Sequence, residues 1–182
     1  ICSDGNIYKN INKTKEVKKL KKKKRRLQRN ISRKYLINKK GVCYYKTSNI
    51  IKLENQLLKL NHRLTNIRND YLHKTTSEII NRKPMFIALE DLNVSGMMKN
   101  KHLAKAIQEQ SFYEFKRIIS YKANWNNIKI IEVPRFYPSS KTCSECGAIK
   151  KDLKLSDRKY ICLECGCVID RDYNASVNLM KY

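Results

Sequence analysis

No stretch of this 182-residue sequence approaches the run of about 18 apolar residues that a membrane-spanning helix needs. Its first residues, ICSDGNIYKN, lack the charged flank and apolar core of a signal peptide. With neither feature, the expected setting is cytoplasmic. Acids are scarce, with 16 Asp and Glu against 40 Lys and Arg and a formal charge of +24. Such a chain repels itself when compact unless a polyanion neutralises it, and phosphate neutralisation makes nucleic acid the expected partner. An AT-rich codon bias accounts for Lys in place of Arg but not for the missing acids. No internal repeat is evident. The apolar fraction of 41% is ordinary, so the chain can bury a core, and its length suits one domain plus a small satellite.

Residues 1–8, with the turn signal Asp4-Gly5, read as one side of a β-hairpin. From Lys9 to Lys40 there are 16 basic residues and one acid, Glu16. Val17, Leu20, Leu27 and Ile31 fall at helical spacing, Lys24 interrupts their seam, and Lys39-Lys40-Gly41 reads as the helix end. Ile50, Leu53, Leu57, Leu60, Leu64, Ile67 and Tyr71 then alternate steps of three and four. Two amphipathic helices with a short Gly-containing link predict an antiparallel helical hairpin. Its first helix is either a solvated charged face or a phosphate-tracking one. KKLKKKKRRLQR cannot neutralise itself, which favours the second reading for Lys21, Lys22, Lys23, Lys24, Arg25, Arg26 and Arg29.

MFIALED after Pro84 and IKIIEV before Pro134 read as buried strands, with helix over 103–125 between them and Trp125 most simply in the core. Strand, helix, strand with apolar strands implies a parallel pair. The expected architecture is an α/β core carrying a helical insertion.

Seven cysteines without a secretory signal suggest metal rather than disulfides. Cys143, Cys146, Cys162 and Cys165 fit C-x2-C-x15-C-x2-C, the spacing of a structural zinc site. CSECG and CLECG read as twin knuckles of a zinc ribbon, with Gly147 and Gly166 free to take positive φ. Four thiolates leave no open coordination position, so the metal is structural. Redox CxxC pairs are the competing reading, and two matched CxECG turns speak against it. Cys2, Cys43 and Cys167 have no partner at ligand spacing and read as ordinary thiols. Ser139, Ser140 and Lys141 lead into the ribbon, where a nucleic-acid backbone contact and a simple turn both remain open.

Glu90, Asp91, Asp170 and Asp172 are the acids at strand ends. Asp172 precedes a helix-like YNASVNLM and could cap it. The other reading is a carboxylate cluster for Mg²⁺ ions in phosphodiester hydrolysis. IALEDLNVSGM (87–97), VPRFYPSSKTCSECG (133–147) and CLECGCVIDRDYNASVNLM (162–180) resemble, in order, the signatures of TnpB/OrfB-type transposon proteins. These are encoded in bacterial insertion sequences and are related to type V CRISPR nucleases. The resemblance implies an RNase H-like (RuvC) nuclease fold and a transposase-associated, RNA-guided DNA endonuclease using a guide RNA and Mg²⁺. It makes Glu90 the second catalytic acid and Asp172 the third, both magnesium ligands. The four cysteines become the ribbon's zinc ligands, and Asp91 and Asp170 are not carried over.

The chain begins on Ile1, and the family's first catalytic aspartate belongs a few residues before the segment matching CSDG. An N-terminally truncated chain is therefore expected, from a longer gene product or a decayed or domesticated one, with little Mg²⁺-dependent cleavage of its own. Asp4 sits in the following turn and is no substitute. The expected layout is a partial RNase H-like core over 1–138 containing a basic helical hairpin over 9–82. A zinc ribbon over 139–168 and a C-terminal core helix over 169–182 follow. The alternative is a non-catalytic nucleic-acid-binding zinc-ribbon protein or a regulator of transposition derived from such an element. A ribosomal-type RNA-binding ribbon would leave LED and DRDYNAS without a reason.

Overall fold

The computed structural model describes residues 1–154 and 156–182; Leu155, inside the segment expected to form the ribbon, lies outside the described residues. The chain divides into two compact units, Asn10–Lys74, and Ile1–Lys9 with Thr75–Tyr182.

In the unit Asn10–Lys74, a short 3-10 turn (Ile11–Lys13) leads into α1 (Lys15–Ile37). The Thr14 hydroxyl accepts the Val17 N–H at 3.4 Å, satisfying one of the donors left open at a helix start. The anticipated seam is present: Val17 and Ile31 are buried, Leu20 and Leu27 half-buried, and Lys24 lies half-buried among them. The link between the helices departs from expectation. Lys39-Lys40 does not end α1, which stops at Ile37. Instead β1 (Lys39–Lys40) pairs antiparallel with β2 (Cys43–Tyr44). Gly41, at φ 59, supplies the left-handed residue that a tight two-residue hairpin requires. The second helix, α2 (Ser48–Asn81), buries Ile50, Leu60 and Leu64 and half-buries Leu53, Leu57, Ile67 and Tyr71. Arg68 Nε to Asn12 at 2.9 Å and Arg63 to Glu16 at 3.0 Å join the start of α1 and the turn before it to the middle of α2. The Tyr35 hydroxyl to Glu54 at 2.7 Å joins the end of α1 to the start of α2, so the two run antiparallel.

The second unit begins with a correction. Residues 1–8 form a turn and no strand: the Gly5 N–H donates to Cys2 O, Asp4 accepts the Asn6 N–H, and Arg82 pairs with Asp4 at 2.5 Å. Two bonds from its carboxylate hold the turn closed, and both lower the Asp4 pKa. Further on, β3 (Phe86–Glu90) and β4 (Lys129–Val133) are parallel, with Phe86 opposite Lys129 and Glu90 opposite Val133. Between them run α3 (Val94–Met98), α4 (Ala104–Gln110) and α5 (Phe112–Trp125). The single helix expected over 103–125 is broken at Ser111, whose φ of 54 turns the chain between α4 and α5.

Ile80 from the end of α2, Ile119 and Ala123 from α5, and Ile128 form the core under the sheet, joined by Ile87, Leu89, Phe115 and Ile130. Trp125, expected in that core, is 75% exposed and packs edge-on against Tyr121 at 4.7 Å. It is the last residue of α5, beyond the buried Ile118, Ile119 and Ala123, and packs on Tyr121 instead of under the sheet. After β4, β5 (Lys159–Ile161) and β6 (Val168–Asp170) pair antiparallel, and α6 (Arg171–Lys181) returns to lie beside β3, β5 and β6.

Candidate metal centre and acid pair

Two turns of matching form bring the four cysteines together. In the first, Cys143 N–H donates to Ala148 O and Gly147 N–H to Cys143 O; in the second, Cys162 N–H donates to Cys167 O. Gly147 at φ 78 and Gly166 at φ 71 take the backbone conformation that folds each turn under its own sulfurs. The four Sγ atoms lie within 4.8 Å of one another, the one such gathering of three or more His, Cys, Asp or Glu ligand atoms among the described residues. Cys143 to Cys165 is 3.7 Å and Cys146 to Cys162 is 3.6 Å. A tetrahedron with zinc–sulfur bonds of about 2.3 Å has edges of about 3.8 Å, so the thiols fit a tetrahedral metal such as zinc.

The backbone N–H of Cys165 pulls the Cys162 thiol down to about 7 against the effect of burial. Cys165 goes up to about 12, because hydrogen bonds shared with Cys146 and Cys162, together with burial, outweigh the pull of the Cys167 N–H. The metal-binding species is a thiolate, which the lowered Cys162 favours. Tyr160, fully buried between Cys143 and Cys162, donates from its hydroxyl to Lys141 O or Ala148 O, each at 3.2 Å. Cys167 packs against this cluster, and burial raises its thiol.

The side chains that fasten α6 to the first knuckle were not among the anticipated site residues. Asn174 is fully buried; its Oδ1 accepts the Ser144 N–H at 2.9 Å and its Nδ2 donates to Thr142 O at 2.7 Å. One turn later Asn178 donates to Ser139 O at 2.8 Å and to the same Thr142 O at 2.7 Å. Lys181 adds a bond to Ser144 O. The available signal was two asparagines four apart on a helix face that must point inward, where an unpaired amide would be costly.

This fastening sets the start of α6, and so Asp172. The cap, however, is Asp170 and not Asp172: Asp170 accepts the N–H groups of Asp172 and Tyr173, each at 3.0 Å. It directly precedes the first helical residue, the position whose side chain can turn back on those donors. Asp172, the second residue of α6 and exposed, pairs among the described residues with its neighbour Arg171 at 3.2 Å. The other acidic run divides in the same way. Asp91 pairs with Arg135 at 2.8 Å, whereas Glu90 has no hydrogen-bond or ion-pair partner among the described residues. Although its side chain reaches solvent, surrounding protein desolvates the Glu90 carboxyl and raises its pKa. Glu90 thus ends the strand that α6 lies beside, and Asp172 occupies the first turn of that helix.

On α1, a groove is lined entirely by cations: Lys18, Lys21, Lys22, Arg25, Arg26 and Arg29. Steps of three and four place these on one helix face. Lys18 joins the anticipated set, while Lys23 and the seam residue Lys24 lie outside the groove. Lys141 is exposed and lies outside the groove, donating to Lys151 O at 3.2 Å.

Comparison with known proteins matches residues 112–179 to the Cas12f1-like TNB domain. A Streptomyces pristinaespiralis protein, named as a candidate RNA-guided DNA endonuclease, is 34% identical over 84% of this chain and 35% of its own length. The TnpB-like protein L79 of Acanthamoeba polyphaga mimivirus is 34% identical over 71% of this chain and 25% of its own. A cryo-EM structure of a Cas12f1–sgRNA–target DNA complex superposes with a TM-score of 0.56 at 18% identity, covering 78% of this chain and 44% of that one, and shares the fold. The chain spans less than half the length of each of these. No helix among the described residues is long and apolar enough to cross a membrane. With that domain, those relatives and that fold in agreement, the chain is a TnpB-type protein.

Proposed function

We propose that the chain is part of a transposon-encoded, RNA-guided DNA endonuclease, with the layout drawn from the sequence. That layout is an RNase H-like (RuvC) core over 1–138 interrupted by a basic helical hairpin over 9–82, a zinc ribbon over 139–168, and a core helix over 169–182. Cys143, Cys146, Cys162 and Cys165 hold structural zinc. Glu90 and Asp172 hold Mg²⁺, which when bound supplies the positive charge that activates water and stabilises phosphodiester hydrolysis. The groove face of α1 tracks the phosphates of DNA or guide RNA.

One observation carries the catalytic part of the reading. Each acidic run contains one carboxylate with a structural task and one without: Asp91 is committed to Arg135 and Asp170 to the helix cap. Glu90 is partly desolvated, which raises its pKa, and has no hydrogen-bond or ion-pair partner among the described residues, so it is available to a cation. The ribbon then serves the nuclease by anchoring α6, whose first turn carries Asp172.

The test is Mg²⁺-dependent cleavage of target DNA by the guide-loaded gene product. Glu90→Gln and Asp172→Asn are each expected to reduce it by more than about 100-fold, the upper end of what loss of an outer-shell partner alone costs. Cleavage that survives both substitutions, with salt-sensitive nucleic-acid binding intact, would replace this reading with that of a non-catalytic binding protein.

A further inference from the structure

The end of α1 and the link to α2 hold the densest group of exposed apolar residues in their unit. Leu36, Ile37, Val42, Tyr44 and Tyr45 are all exposed within ten residues, and Val42 is 91% accessible. The two-residue strands there bury none of these side chains. Charge surrounds them. Lys39 Nζ stands 5.5 Å from the Tyr44 ring centroid and Lys40 Nζ 5.7 Å from that of Tyr45. The nearby acid, Glu54, is occupied by Lys46 at 2.7 Å and by the Tyr35 hydroxyl at 2.7 Å.

We propose that this hairpin tip is a stacking site for unpaired bases of single-stranded nucleic acid, with Tyr44 and Tyr45 as the platforms and Lys39 and Lys40 as phosphate contacts. Both residues are 54% exposed, so each leaves side-chain surface that a base can cover. Adjacent residues of an extended chain point to opposite sides, so the rings address two nucleotides and not one. Tyr44 is pre-oriented, because its ring meets that of Tyr35 edge-on at 6.5 Å and 80°. Exposed cation–π contacts of this length are weak. A stacked base displaces each ammonium from the ring at little cost, and the ammonium is then positioned for the phosphate of that same nucleotide. A protein partner with an apolar face would have to bury Lys39 and Lys40 without compensation, whereas a polyanion with flat apolar bases uses both halves of the patch.

The tip also continues the cationic groove. At 1.5 Å per residue, Lys18 to Arg29 covers about 16 Å of α1, and the helix runs about 12 Å further before the hairpin begins. The groove reads phosphates without regard to base pairing, and the tip adds a requirement for unstacked bases. This inference rests on the nucleic-acid role proposed for α1, and the experiment separates the two.

Fluorescence anisotropy of chain 1–182 would compare oligo-dT, oligo-U, oligo-dT with abasic sites, and duplex DNA. Tyr44→Leu/Tyr45→Leu keeps apolar volume and removes the π-faces. It is expected to weaken oligo-dT or oligo-U binding at least about tenfold, since each stacked base is worth about 1–3 kcal/mol. It should leave duplex and abasic binding and the salt slope unchanged, and Tyr44→Phe/Tyr45→Phe should bind as wild type. Whichever of oligo-dT and oligo-U binds wild type more tightly identifies the source of the strand. Unchanged oligonucleotide binding by the Leu variant, or an equal loss on duplex or abasic strands, overturns the stacking site. In either case, loss of binding by Lys22→Gln/Arg25→Gln/Arg29→Gln leaves the α1 reading standing.

Discussion

Replacing Asn174 with alanine removes the two amide bonds it makes to the first knuckle, yet it should orphan one backbone group and not two. Thr142 O keeps its 2.7 Å bond from Asn178, so its loss is covered. Ser144 N–H has Asn174 Oδ1 as its partner at 2.9 Å, and Ser144 is buried. An unsatisfied buried amide costs about 1–3 kcal/mol, and the void left by the amide adds about 1 kcal/mol. Together they give a loss of about 2–4 kcal/mol. Asn178→Ala should cost a similar amount by orphaning Ser139 O while Asn174 still serves Thr142 O. The double variant leaves Thr142 O with neither amide, so its loss should exceed the sum of the singles, by an amount in the range of about 0.5–3 kcal/mol seen for coupled neighbours. Denaturant unfolding of the zinc-loaded protein by circular dichroism, with amide hydrogen exchange followed in α6, measures all three. Single losses below about 0.5 kcal/mol, the level of ordinary surface changes, or strictly additive losses, would refute the shared-acceptor account.

Metal analysis should find about one zinc per chain, absent from Cys143→Ser/Cys162→Ser, and chelation should release the ribbon amides to exchange. Neutralising Lys22, Arg25 and Arg29 should lower the slope of log affinity against log salt by about three, near one unit per phosphate contact. Glu90 predicts a pH effect of definite sign. Its pKa is raised above the ordinary 4.5, so the folded state holds the proton more tightly than the unfolded one. Stability is then highest below the ordinary value and falls as pH rises through the window just above it. Glu90→Gln should abolish that fall and be at least as stable as wild type at neutral pH; a destabilised Glu90→Gln would place Glu90 in a structural bond.

The parts legible in the sequence were those that depend on periodicity or on fixed spacing. The α2 seam from Ile50 to Tyr71, the two apolar strands and their parallel pairing, and the cysteine pairs all follow from local pattern. What escaped depends on partners distant in sequence or on single backbone angles. Asp4 turns the first residues through Arg82, 78 positions away, where a strand was anticipated. Ser111 breaks a helix whose hydrophobic pattern runs straight through it. Trp125 is large and apolar, but its position on α5, not its composition, decides its exposure. Asn174 and Asn178 look like ordinary polar helix residues until the knuckle carbonyls they serve are placed beside them. At the site, the motifs singled out Glu90 and Asp172, but the tasks of Asp91 and Asp170 needed Arg135 and the helix start in view.

The assignment of the acids is tested most directly by titrating Mn²⁺, as a paramagnetic stand-in for Mg²⁺, into the zinc-loaded chain and four single variants. The account predicts that Glu90→Gln and Asp172→Asn each weaken binding, while Asp91→Asn and Asp170→Asn bind as wild type. Wild-type binding by Glu90→Gln and Asp172→Asn, or loss confined to the Asp91 and Asp170 variants, would contradict it.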